Sequence, residues 1–156
     1  MYVAAFILDE GESFGDVFAR FPATPLVGAV RPSTYPLPGG DTAVELTIAP
    51  ELYESAFAAD LPREQIDVLA VMQRPFAEIF GDRAQAAAWK TLPSWAVVAT
   101  ADNAIHPDAE RQMAQRAGAQ TVEVDASHSI ALSQPGAVVA LIQSAVEATS
   151  ARAIEV

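Results

Sequence analysis

Residues 93–135 read PSWAVVATADNAIHPDAERQMAQRAGAQTVEVDASHSIALSQP. The apolar run Trp95–Thr100 ends in Ala101-Asp102-Asn103, and the run Thr121–Val124 ends in Asp125-Ala126-Ser127-His128. Two short apolar runs, each followed by a longer segment of helical pattern, predict strand, acidic turn, helix, strand, histidine turn, helix. The first helix is expected over 107–117, with Gly118 ending it in the left-handed conformation. The second is expected over 135–149, where Val138, Leu141, Ile142, Ala145 and Val146 form one stripe. Neighbouring parallel strands bring their C-terminal ends to one sheet edge, where open α/β folds place their ligands. Asp102 and His128 are therefore expected to meet there, as an orienting carboxylate and a general base.

Outward from this stretch, the continuous apolar run Tyr2–Leu8 predicts a strand covered on both faces. The acidic Asp9–Glu12 that follows reads as a solvated turn. A short amphipathic piece over Asp16–Phe21 is cut off by Pro22 and Pro25. Residues 22–50 carry six prolines and Gly39-Gly40, so they read as loop-rich, with a short strand or hairpin arm at Ala43–Ile48. Helices are expected from Pro50-Glu51 to about Ala59, from Arg63 to Met72, and briefly from Phe76 to Gly81. The chain thus divides into a sheet portion, 1–8 and 91–150, an insertion of small helices and loops, 9–90, and a frayed tail, 151–156. The fold class is α/β, with a three-stranded, mostly parallel sheet, flanking helices and a helical insertion.

The 156 residues, half of them apolar, suit one domain with a real core. Nine Lys and Arg against twenty Asp and Glu give a formal net charge of −11, which opposes binding to nucleic acid or an anionic membrane surface. No apolar run approaches the roughly 20 residues that span a bilayer. The N-terminal MYVAAFILDE lacks the basic region of a signal peptide. The absence of cysteine excludes disulfides and a thiolate nucleophile and fits a reducing cytoplasm. No glycine-rich phosphate loop occurs and no cofactor is called for.

AVVATADNAIHP followed by VEVDASHSIALSQP resembles the last part of an α/β-hydrolase. In that family the acid of a triad sits in a V-x-x-T/G-x-D-x-x-I-P type segment, and the base in a later S/G-H segment that runs to a proline before the final helix. Asp102, His128 and Pro135 occupy those places, although His106 is inserted between Ile105 and Pro107. YVAAFILDEGES is similar to the sixth-strand segment of the esterase and hydroxynitrile-lyase branch, and residues 12–90 fall where that branch carries its cap. The resemblance implies that the chain is the C-terminal portion of such a fold. It also implies a Ser-His-Asp triad with Asp102 as acid and His128 as base, and a small-molecule ester as substrate. The oxyanion loop and the G-x-S-x-G nucleophile elbow are missing from this pattern.

One formal match to the elbow exists, Gly11-Glu12-Ser13-Phe14-Gly15. An elbow needs its strand to run straight into the glycine and a long helix behind the serine. Here Asp9 and Glu10 intervene, Pro22 ends the helix early, and the nearby carboxylates would repel an oxyanion. Ser13 therefore reads as a turn or capping residue. His106, four residues beyond Asp102, reads as solvated or as a helix cap; Asp125 is the rival acid for His128. Asp102, His106 and His128 have no recognised metal-ligand spacing, so no metal is expected. Trp89, Trp95, Tyr53 and Phe57 line an acyl pocket or simply belong to the core.

The expected activity is that of an α/β-hydrolase-type esterase whose nucleophile lies outside this chain, leaving the chain alone nearly inactive. Lyase, dehalogenase or epoxide hydrolase chemistry would share the acid and base. The alternative is a non-catalytic binding or assembly module. Its Tyr2–Leu8 strand edge would pair with a second copy, forming a homodimer, or with a complementing N-terminal half.

Overall fold

The computed structural model describes residues 1–153. In chain order the elements are β1 (Tyr2–Val3), α1 (Phe14–Phe18), α2 (Pro25–Ala29), β2 (Val30–Pro36) and β3 (Thr42–Ile48). A 3₁₀ turn at Pro50–Leu52 leads into α3 (Tyr53–Phe57), followed by α4 (Arg63–Met72) and β4 (Phe76–Ala77). The chain ends with β5 (Trp95–Ala99), α5 (Pro107–Arg116), β6 (Gln120–Val124), α6 (Ile130–Ser133) and α7 (Pro135–Ala153).

The β1, β5 and β6 strands form a parallel sheet in the order β1-β5-β6. Every residue of β5 is buried, as a continuous apolar run between two covered faces requires. Trp95, Val97 and Ala99 pack with Ala126, Ile130 and Leu141 on one face. Ala96 packs with Ile7, Ile105, Ala109 and Met113 on the other. The period-2 alternation of β5 thus feeds two cores, one beneath α6 and α7 and one beneath α5. Gly118 closes α5 at φ +59°, as its place in the sequence predicted.

The structure corrects the sequence reading in four places. Ladder pairing of the N-terminal run stops at Val3 and does not reach Leu8. Ala4 adopts φ +43°, a left-handed conformation that costs about 1 kcal/mol outside glycine and turns the chain out of the sheet. Beyond it, Ile7 and Leu8 use their backbone groups on side chains: Ile7 N–H faces Met113 Sδ at 3.3 Å, and Leu8 C=O accepts from Trp89 Nε1 at 2.8 Å.

The stretch 9–90 also holds a sheet of its own, antiparallel, in the order β2-β3-β4. The β3 strand matches the expected arm, but its partner β2 contains Pro32 and Pro36. An edge position tolerates them, because a proline there has no ladder donor to lose. Phe76-Ala77, expected as a helix start, pairs instead with Glu45-Leu46. Finally, α7 runs on through Ala153 where fraying was expected, while residues 154–156 of that tail lie outside the described residues. The α3 and α4 helices share a small core of Tyr53, Ala58, Leu61, Ile66 and Ala70. No helix among the described residues is long and apolar enough to cross a membrane.

Candidate active site

Two hydrogen bonds beyond the β5–β6 ladder draw its ends together: Thr100 N–H to Val124 C=O at 2.9 Å and Ala101 N–H to Ala126 C=O at 3.1 Å. This sets the loop carrying Asp102 beside the loop carrying His128. Asp102 Oδ2 lies 2.6 Å from His128 Nδ1. A carboxylate can only accept, so Nδ1 carries the proton and Nε2 presents its lone pair. Among the described residues, His128 makes no other side-chain hydrogen bond.

Asp102 is 3% exposed, and its second oxygen, Oδ1, accepts from the N–H groups of Ala104 at 2.6 Å and Ile105 at 2.9 Å. Burial alone would raise its pKa. The imidazole hydrogen bond and charge, together with the other donors, outweigh that and hold it below the usual carboxylate value.

The histidine loop is fixed from a second direction. Asp60 Oδ2 accepts from Ser127 N–H at 3.0 Å, and its Oδ1 takes the buried Ser127 hydroxyl. Phe57 C=O accepts both the Ser129 N–H at 3.1 Å and the Ser129 hydroxyl at 3.0 Å. The Phe57 ring lies 4.5 Å from the imidazole. Partial burial would raise the pKa of Asp60, but the bonds from Ser127 more than offset it and the net shift is downward. Asp60→Ala strands a buried hydroxyl and a buried N–H and is expected to cost about 1 kcal/mol. Denaturant titration checks this, and Asp60→Asn, which keeps an acceptor, should recover part of the loss.

His128 is 20% exposed and opens onto an apolar cleft of about 570 Å³. Its wall includes Phe6, Phe14, Phe18, Phe80, Tyr53 and Phe57. The rings pack on one another, Phe6 with Phe14 at 4.6 Å and Phe18 with Phe80 at 5.7 Å between centroids. No serine lines this cleft; Thr47 and Tyr53 are its only hydroxyl residues. Of the four aromatics proposed for a pocket, Tyr53 and Phe57 reach it. Trp95 belongs to the core, and Trp89 packs near Arg116.

Ser13 is the N-cap of α1. Its hydroxyl accepts from Asp16 N–H at 3.1 Å, while Asp16 Oδ2 accepts from Ser13 N–H at 3.0 Å. This reciprocal capping box commits the serine locally. His106 caps α5, its Nδ1 accepting from Asp108 N–H at 3.2 Å, and stacks on Phe21. Asp125 is exposed and makes no bond to His128. Asp102 and His128 are brought together; Ser13, His106 and Asp125 are not brought to them. Among the described residues, no group of three or more His, Asp or Glu side chains is placed to hold a metal ion.

The acidic turn is not the solvated one expected. Glu12 is 9% exposed and accepts from Arg116 at 2.7 Å and Arg20 at 2.6 Å. Sequence reading also missed Glu110, 2% exposed on α5. Its helical stripe with Met113 and Ala114, three and four residues on, places it on the core face, and that spacing was the available signal.

A parallel sheet with a buried carboxylate after one strand and an imidazole after the next, facing an apolar cleft, defines an α/β fold of the hydrolase type. The chain belongs to the alpha/beta hydrolase family, whose model matches residues 1–141. It is similar in structure to polyneuridine aldehyde esterase, at TM-score 0.75 and 17% identity, with 92% of this chain and 60% of that one covered. It is also similar to a pyrethroid hydrolase from Sphingobium faniae JZ-2, at TM-score 0.71 and 18% identity, covering 96% of this chain and 60% of that one. The methylesterase MES16 from Arabidopsis matches at TM-score 0.68 and 16% identity, with 94% and 57% covered. The chain therefore spans about 60% of the length of the first of these structures. No curated protein matches its sequence.

Proposed function

We propose that the chain supplies the acid and base of a Ser-His-Asp triad that hydrolyses a small, largely apolar ester, and that residues 9–90 form the cap over that site. The 2.6 Å contact between Asp102 and His128 at the mouth of an apolar cleft carries this reading. Asp102 holds the imidazole in the tautomer with Nδ1 protonated. Nε2 takes the proton of the attacking hydroxyl and returns it to the leaving alcohol. The phenylalanine wall suits an apolar acyl or alcohol group. The esterases and hydrolases to which the chain is structurally similar support the ester class. The attacking serine comes from a segment outside this chain, because no serine lines the cleft and no cysteine exists.

The test is hydrolysis of p-nitrophenyl butyrate by the chain and by His128→Ala. Both are expected at the background rate. Turnover that falls on His128→Ala would place the nucleophile inside these 156 residues and sink the external-serine reading. The ester reading itself is tested by joining the chain to a polypeptide that carries a strand and G-x-S-x-G. There His128→Ala should lower turnover by roughly 10³-fold or more.

The second reading, a non-catalytic module assembling through its first strand, draws on β1 being the outer strand of its sheet. With only Tyr2–Val3 in ladder geometry, such pairing has a short template. A strict monomer at high concentration in sedimentation counts against self-pairing.

A further inference from the structure

We propose that Glu110 is a positioning residue for the Asp102–His128 pair, acting as a neutral carboxylic acid that donates a hydrogen bond to the Asp102 carboxylate. Glu110 Oε2 accepts from Ala99 N–H at 3.1 Å. Its other oxygen, Oε1, is fully buried and no donor reaches it. The carboxyl group lies in hydrogen-bond contact with that of Asp102. Two buried carboxyl groups in contact hold one proton between them, since both charges together would repel in a poorly solvated site. The donors decide where it sits. Asp102 has Ala104 N–H, Ile105 N–H and the His128 imidazole around it, all of which favour the anion. Glu110 has one amide. The proton therefore resides on Glu110, at the oxygen that lacks a donor, and points at Asp102.

The other charged groups around Glu110 do not reverse this. Arg111, its neighbour on α5, turns outward to Asp108 and Glu123. His106 offers only its backbone carbonyl, which accepts the Glu110 N–H at 3.2 Å. Burial first, and then the Asp102 carboxylate, push the Glu110 pKa up to about 10. With this donor, every oxygen of Asp102 is engaged from a fixed direction. The aspartate is held anionic and its plane is set for Nδ1 of His128.

The functional sense of this rests on Asp102 orienting a catalytic His128, but neither measurement that tests it needs turnover. An acid whose folded pKa is raised contributes stability that is complete below its unfolded value of 4.5 and is lost as pH rises toward about 10. Across that window the folded state binds one proton more than the unfolded state. In Glu110→Gln the amide keeps a donor for Asp102 and an oxygen for Ala99 N–H, but it cannot titrate. Denaturant titrations of both proteins from pH 6 to pH 8 should show the ratio of their unfolding constants changing about tenfold per pH unit, with the variant gaining relative stability. Parallel curves would show Glu110 ionised and overturn the proposal.

The second readout is the low-field proton NMR resonance of His128 Nδ1–H. It should persist in Glu110→Gln and shift or broaden away in Glu110→Leu, which fills space without donating. A resonance unmoved in both variants would mean Glu110 only packs and caps Ala99, and would equally overturn the positioning role. If the leucine variant does not fold, the glutamine comparison across pH still decides.

Discussion

Asp102→Asn is expected to leave the fold standing and lower ester hydrolysis by about 10⁴-fold in a polypeptide that also carries the nucleophile. The asparagine keeps an oxygen for Ala104 and Ile105 N–H, the two buried donors that Asp102 satisfies. Its other atom becomes an NH₂ that faces His128. To accept from it, Nδ1 must give up its proton, which moves the proton to Nε2 and removes the base from the cleft. Circular dichroism and denaturant midpoint should change little, while the rate falls. Asp102→Ala contrasts with it. That variant leaves both N–H groups, the imidazole and the buried Glu110 acid without an acceptor, and is expected to cost about 3 kcal/mol or more. A variant Asp102→Asn that hydrolyses esters at the parent rate would show that His128 needs no fixed tautomer, and the triad reading would fall.

What was legible in the sequence follows from what is local. The Trp95–Thr100 run is apolar at every position because β5 is covered on both faces, and the pattern needs no distant partner to be read. Asp102 and His128 stood out because parallel strands must end at the same edge, so two polar groups in the same relative place are bound to approach. The capping roles of Ser13 and His106 are equally local, each resting on an amide two or three residues away.

The misreadings are of the other kind. The two residues of β4 make a strand only because β3 lies beside them, and β2 survives two prolines only because it is an edge. Glu12 looked like one more acid in a solvated run, and its burial is explained by an arginine 104 positions away. Glu110 looked like a surface residue of a charged helix, because a neutral buried acid cannot be told by letter from an ionised exposed one. The early end of β1 turns on the φ of Ala4, a residue whose identity gives no warning of it.

Glu12→Gln is expected to lower the unfolding free energy by about 2 kcal/mol at pH 7, with a loss that disappears at low pH. Glu12 Oε2 accepts from Arg116 Nη2 at 2.7 Å and from Asp9 N–H at 3.0 Å, and Oε1 from Arg20 at 2.6 Å. The Arg116 bond is the main cause of a pKa drawn down to about 2, with Asp9 and Arg20 adding to it and partial burial opposing. A depressed carboxylate contributes stability that is complete above its unfolded value of 4.5 and is lost as pH falls toward about 2. The full shift would be worth about 3 kcal/mol. Arg20 and Arg116 are 41% and 29% exposed, so screening trims it to about 2. Denaturant titrations at pH 7, 4 and 2.5 should show the gap between parent and variant closing in that order. The other acids titrate in both proteins and cancel. A gap that is absent at pH 7, or constant down to pH 2.5, would contradict the assignment. The consequence reaches the site through α5. Arg116 sits in its last turn and also donates to Ile7 C=O at 2.8 Å, so the pair clamps the helix end to the segment leaving β1. The same helix carries Glu110 and begins directly after the Asp102 loop. Loosening its far end should therefore weaken the His128 Nδ1–H resonance in Glu12→Gln at pH 7, although no atom of Glu12 touches the site.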